Sequence, residues 1–175
     1  MNIVTLCTGN VARSVMLGYM LQTLDDGANT RWQVRTAGTH VYEGSSMSAR
    51  TRNALFGIDQ LGPHHYNAHR SHQLNASDVQ WADVVLASEA SHVRYVRANW
   101  PAGAEKAVLL GQFVRTVGRS SSWKEQLATE ARAEPNGDFD VLDPAGGDQA
   151  AYDACARQLW EMAQAFMLRV GGLVD

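Results

Sequence analysis

The octapeptide Cys7-Thr8-Gly9-Asn10-Val11-Ala12-Arg13-Ser14 holds the residue types that handling a phosphate ester requires. A thiolate is a strong nucleophile, and a planar guanidinium can grip two oxygens of one phosphoryl group. Gly9 lets the backbone approach an anion closely, and Ser14 offers a hydroxyl to the sulfur. The β-prone run Asn2 to Leu6 leads in, and a helical pattern with Val15, Leu17, Tyr19, Met20, Leu21 and Leu24 leads out. A strand, a tight loop and a helix start aim backbone N–H groups and the positive end of a helix dipole at one dianion. In that setting the amides, the helix terminus and Arg13 favour the thiolate of Cys7. The sulfur then lies beneath the phosphorus, while Arg13 and the amides of residues 8 to 13 hold the equatorial oxygens.

The rest of the chain has to position this loop. With 175 residues and 45% apolar content, it is long enough for a single domain, residues 1–175, with its own core. A formal charge of -3 supplies no basic face for nucleic acid or a membrane surface. There is no apolar run of transmembrane length and no signal peptide before the first strand, so a cytoplasmic protein is expected. Two cysteines, Cys7 and Cys155, fit a reducing compartment and cannot build a disulfide framework or a thiolate zinc site. The six histidines show no ligand spacing with carboxylates, so no metal and no cofactor are expected.

Taken in order, the chain predicts strand one over 2–6 and helix one over 13–25, stopped at Gly27. Strand two covers 32–37, closed by Gly38. A helix follows over 48–56 with Ser48 as its N-cap and Gly57 as its stop, and Gly62-Pro63 marks a turn. A short capped turn lies at 75–78, a strand at 83–87, a helix at 89–99 and a fourth strand at 106–110. A surface excursion is expected at about 115–137, flexible around 118–122, with a short helix from Trp123. Asp148 caps a last helix over 149–170 whose Tyr152, Cys155, Leu159, Met162, Phe166 and Val170 form an apolar stripe. Strands alternating with helices imply an α/β fold: a four-stranded parallel sheet with helices on both faces and the phosphate-binding loop after the first strand. Ligands of such sheets bind at the carboxyl ends of the strands.

The loop, with its strand before and helix after, resembles that of the low-molecular-weight protein tyrosine phosphatases, whose signature is Cys-x-Gly-Asn-x-x-Arg-Ser near the N-terminus. Thr36-Ala37-Gly38-Thr39, Gly57-Ile58-Asp59, His69-Arg70 with Gln73-Leu74, Asp83 to Leu86 and Asp143-Pro144 resemble further segments of that family. The resemblance implies metal-free hydrolysis of phosphotyrosine in proteins through a phosphocysteine intermediate. Cys7 is then the nucleophile, Arg13 the phosphate clamp and Asp143 the general acid and base. Thr8, Gly9, Asn10, Val11, Ala12 and Ser14 line the phosphate. Asn10 joins Ser14, Thr36 and His69 in a network that holds the loop. Tyr42 is a candidate wall for an aromatic ring. From the residues alone Asp138, Asp140 and Asp148 compete with Asp143, any of them able to cap a turn. The resemblance also implies a tyrosine-phosphorylated partner, such as a bacterial tyrosine kinase.

Three departures from the family bear on function. Ala12 stands where many members carry a second cysteine that shelters the nucleophile as a disulfide, so over-oxidation of Cys7 by peroxide is expected. Ala145-Gly146-Gly147 replaces the aromatics that press on a substrate ring in eukaryotic members, and Val15 replaces a common proline. Alternatives on the same scaffold are a protein-arginine phosphatase, whose branch tends to carry threonine at the position of Val11, an arsenate reductase, and a non-catalytic phosphate-binding module.

Overall fold

β-branched and leucine-rich runs form four short strands in the computed structural model, which describes residues 1–28, 31–62, 64–116 and 122–170. They are β1 (Asn2–Cys7), β2 (Gln33–Gly38), β3 (Val84–Ala87) and β4 (Ala107–Leu109), paired in parallel in the order β2-β1-β3-β4. β1 and β3 are buried almost throughout, as strands covered on both faces must be. The helices are α1 (Arg13–Ala28), α2 (Ala49–Phe56), α3 (Ala76–Trp81), α4 (Ala90–Asn99), α5 (Leu110–Thr116), α6 (Trp123–Arg132) and α7 (Gln149–Val170). One core layer packs Met16, Leu17, Met20 and Leu21 of α1 with Leu55 of α2, Phe113 of α5 and the Cys155, Leu159, Met162 and Phe166 stripe of α7. The other packs Val79 of α3 and Val93 and Val96 of α4 against Val4, Leu6 and Val85.

The chain steps from β1 out to β2, then crosses to β3 on the far side of β1. The crevice at the carboxyl ends of β1 and β3 is the place where such sheets take ligands. Local signals behave as expected where they are strong. Ser48 Oγ accepts from Thr51 N–H at 3.0 Å, and Asp148 Oδ1 accepts from Ala151 N–H at 3.1 Å. Asn75 and Asp78 close a reciprocal capping box on α3, which runs to Trp81 and so is longer than the turn expected over 75–78.

Several elements differ from the sequence reading. α1 passes through Gly27 to Ala28, since its last turn is exposed and Asp25 Oδ1 accepts from Trp32 N–H at 2.8 Å, fixing the chain on to β2. Trp32 precedes β2, its ring edge-on to Phe166 at 5.7 Å. Leu110 is fully buried and begins α5 instead of ending β4. The short helix expected from Trp123 forms as α6, but it does not lie free on the surface: it seats Trp123, Leu127 and Ala131 against the main core and buries Gln126 and Glu130. The expected flexible segment falls largely outside the described residues, as does Pro63. No described helix is long and apolar enough to cross a membrane.

Candidate active site

Cys7 ends β1 and is buried, and its Sγ lies 3.0 Å from Ser14 Oγ on the first turn of α1. Asn10 N–H also points at the sulfur, at 3.3 Å. The turn between them depends on Asn10, whose φ of 51° lies in the left-handed region that asparagine tolerates better than most residues. Its buried side chain donates to Ser14 Oγ and to Thr36 Oγ1, each at 2.9 Å, and its Oδ1 accepts from His72 N–H at 2.8 Å. His69 Nε2–H donates to Asn10 O at 2.8 Å, and burial holds this imidazole below its ordinary pKa, in the neutral form. His72 is pulled down by burial but more strongly raised by Asp78 and Glu43, whose carboxylates lie 2.8 and 3.2 Å from its ring nitrogens.

β2 carries the other wall. Thr39 and His40 N–H donate to the carbonyls of Cys7 and Thr8, both at 2.9 Å. A Cβ on Gly38 would stand 2.5 Å from Thr8 O and 3.0 Å from Asn10 N, so only glycine permits the approach. On the remaining side Thr51 Oγ1 donates to Val11 O at 2.8 Å.

Arg13 is 1% exposed, and its guanidinium is held on every side. Nη1 donates to Glu89 Oε1 and to Val141 O, the latter at 3.0 Å; Nη2 donates to Asp143 Oδ2 at 2.7 Å and to Thr8 Oγ1 at 3.3 Å. Burial opposes the charge of Glu89, but Arg13 outweighs it and lowers that carboxyl below its usual range. Among the competing aspartates, Asp143 is the one on the guanidinium. Asp140 Oδ1 instead accepts from Ala90 N–H at 2.7 Å at the start of α4, Asp148 caps α7, and Asp138 belongs to the turn at Asn136.

The structure therefore brings these residues together around one loop in two hydrogen-bonded sets, Cys7, Asn10, Ser14, Thr36 and His69 in one and Thr8, Arg13 and Asp143 in the other. Gly9, Val11 and Ala12 complete the loop, with Ala12 turned into the main core. Tyr42 is on the loop beside it, its carbonyl accepting from Ser45 and Ser71 while its ring is 90% exposed. The sequence reading missed Glu89 and His92. Both follow β3, and the rule that ligands gather at the carboxyl ends of strands points to that position.

A parallel α/β sheet with a tight Gly9-Asn10 loop between its first strand and helix, a buried cysteine at the start of that loop and a buried arginine at its end defines the class, a small protein phosphatase. The description "low molecular weight phosphotyrosine protein phosphatase" matches residues 2–172, and the chain belongs to that family. It is 29% identical over 160 residues to a protein-arginine-phosphatase of Geobacillus stearothermophilus, covering 90% of this chain and 87% of the relative. It is 25% identical over 114 residues to a low molecular weight protein-tyrosine-phosphatase of Acinetobacter johnsonii, covering 64% and 73%. Among solved structures, an arginine phosphatase from Geobacillus stearothermophilus superposes with a TM-score of 0.72 at 28% identity, covering 94% of this chain and 89% of that one. A low molecular weight protein tyrosine phosphatase from T. tengcongensis superposes with a TM-score of 0.76 at 25% identity, covering 97% and 99%.

Proposed function

We propose that this protein hydrolyses phosphotyrosine in proteins through a phosphocysteine intermediate. The observation that carries the reading is the placement of Cys7 Sγ under Ser14 Oγ and Asn10 N–H, one loop away from the fully buried Arg13. The sulfur attacks phosphorus in line, and the bond to the phenolic oxygen breaks as Asp143 gives that oxygen its proton. Water then attacks the phosphocysteine while Asp143 takes a proton from it, and Cys7 leaves as thiolate with Ser14 donating to it. Arg13 and the loop amides bind the equatorial oxygens through both steps.

For a phosphate dianion to take the Nη2 donor of Arg13, Asp143 has to release it. Asp143 sits on an exposed turn next to Gly146, which has a positive φ of 83°. A side chain 40% exposed at the edge of the clamp can turn about its own bonds from Arg13 to the leaving oxygen. Apolar residues beside the loop support an aryl ester: Val11 is on the loop itself, and Leu142, 80% exposed, directly precedes Asp143.

A second reading, hydrolysis of phosphoarginine, is supported by the Geobacillus stearothermophilus match, named as an arginine phosphatase in both sequence and structure. The test is hydrolysis of matched phosphotyrosine and phosphoarginine peptides in excess chelator, with Cys7→Ser alongside. Faster turnover of phosphotyrosine, lost in Cys7→Ser, is expected. Preference for phosphoarginine would move the function to the second reading, and undiminished turnover in Cys7→Ser would overturn both.

A further inference from the structure

His92, on the first turn of α4, is 3% exposed, and none of the steps above uses it. Its Nδ1 accepts from Glu89 N–H at 3.2 Å, within the cap of α4. A nitrogen that accepts carries no proton, so in the neutral ring the proton is on Nε2. Nε2 lies 3.0 Å from Thr8 Oγ1 and 3.9 Å from the nearer Glu89 oxygen, so its N–H donates to the hydroxyl. Burial, the largest influence, lowers this histidine from 6.5 to about 4, which keeps the ring neutral near pH 7.

Thr8 Oγ1 also accepts from Arg13 Nη2 at 3.3 Å. A hydroxyl has two lone pairs and one proton. With both lone pairs taken by N–H donors, the Thr8 proton is free only to donate. Thr8 is the first residue of the loop after Cys7, so that donor belongs to the anion cradle. Without His92 one lone pair is open, and the hydroxyl can turn to accept from another donor.

We propose that His92 is a positioning residue that orients the Thr8 hydroxyl as a hydrogen-bond donor to a phosphoryl oxygen bound in the Cys7 loop. It acts only through Thr8, and it rests on the reading of that loop as a phosphate site. The two residues are 84 positions apart and meet because α4 starts at the carboxyl end of β3, beside β1.

The test is a double-mutant cycle on the affinity for inorganic phosphate, measured by titration calorimetry on the whole protein, which requires no turnover. Hydrogen bonds to charged groups are worth enough that Thr8→Val should weaken binding about 10- to 100-fold. His92→Ala should weaken it by a large part of that factor in the parent and by nothing further in Thr8→Val. His92→Gln, whose amide places a donor close to the Nε2 position, should recover most of the affinity. Thermal melts of each variant separate misfolding from the effect sought. Equal losses from His92→Ala in both backgrounds would overturn the proposal, as would failure of His92→Gln to improve on His92→Ala. Absence of phosphate binding to the parent would instead overturn the phosphate site itself.

Discussion

Arg13 Nη2 donates to Asp143 Oδ2 at 2.7 Å, so the proposed phosphate clamp and the proposed acid hold each other directly. Asp143→Asn removes both the proton source and the carboxylate that competes with phosphate for Arg13. Turnover of an alkyl-substituted phenyl phosphate, a poor leaving group, should fall about 10²- to 10⁴-fold. A nitrophenyl ester should fall far less, and inorganic phosphate should bind at least as tightly as to the parent. A leaving-group series reads this directly. An equal loss across the series would remove Asp143 from the acid role.

Asn10 satisfies Ser14, Thr36 and His72 N–H with one side chain while holding a left-handed backbone. Asn10→Ala takes away the partner of the half-buried Thr36 Oγ1 and His72 N–H, leaves Ser14 Oγ with Cys7 Sγ, and loses the local tolerance for positive φ. Urea unfolding should show a loss of about 2–4 kcal/mol. kcat/KM should fall as well, because the loop no longer holds Cys7 and Arg13 in register. A loss below about 1 kcal/mol would mean that backbone contacts alone keep the loop folded.

Acid should destabilise the fold through His92. Its folded pKa, about 4, is below the ordinary 6.5, so between those values the unfolded chain binds the proton and the native state does not. Stability is present above pH 6.5 and declines as pH falls towards 4, by up to about 3 kcal/mol from this group. His69, also lowered, acts in the same direction. His72 is raised, so its contribution is complete below 6.5 and is lost as pH rises through its folded value. Unfolding curves from pH 4 to 8 should show the acid-side slope, and His92→Gln should flatten it.

Burial of Cys155 in α7 pushes its thiol up to about 12, so it remains un-ionised and inert near neutral pH. Iodoacetamide should label one thiol per native chain, Cys7, and labelling should abolish turnover. Bound inorganic phosphate should slow it. With Ala12 in the loop, peroxide should carry Cys7 to sulfinic and sulfonic acids, and dithiothreitol should recover little activity. Mass spectrometry of the Cys7 peptide distinguishes this from a Cys7–Cys155 disulfide, which would contradict both expectations.

The strand, loop and helix around Cys7 were legible in the chain because every signal there is local. An apolar run ends in cysteine, a glycine and an asparagine permit the turn, and a 3.6-residue pattern follows. The parallel sheet and the caps at Ser48 and Asp148 were legible for the same reason. Boundaries failed where the local signal was weak. α1 continues through Gly27 because nothing there forces it to stop, and α6 is amphipathic enough to reach the core although its neighbourhood reads as surface.

The chain by itself determined which residues have the chemistry: a thiol, a guanidinium, a loop able to cradle an anion, and several carboxyls late in the sequence. Only the tertiary structure decided how they combine. Arg13 meets Glu89 at a separation of 76 residues and Val141 and Asp143 at 128 and 130. Those meetings follow from the strand order, which lays the end of β3 beside the end of β1 and returns the chain over both. No pattern of composition or spacing encodes a contact across such distances. Resemblance to a family singled out Asp143 among the four aspartates, but its contact with Arg13, and the presence of His92 behind Thr8, came from packing.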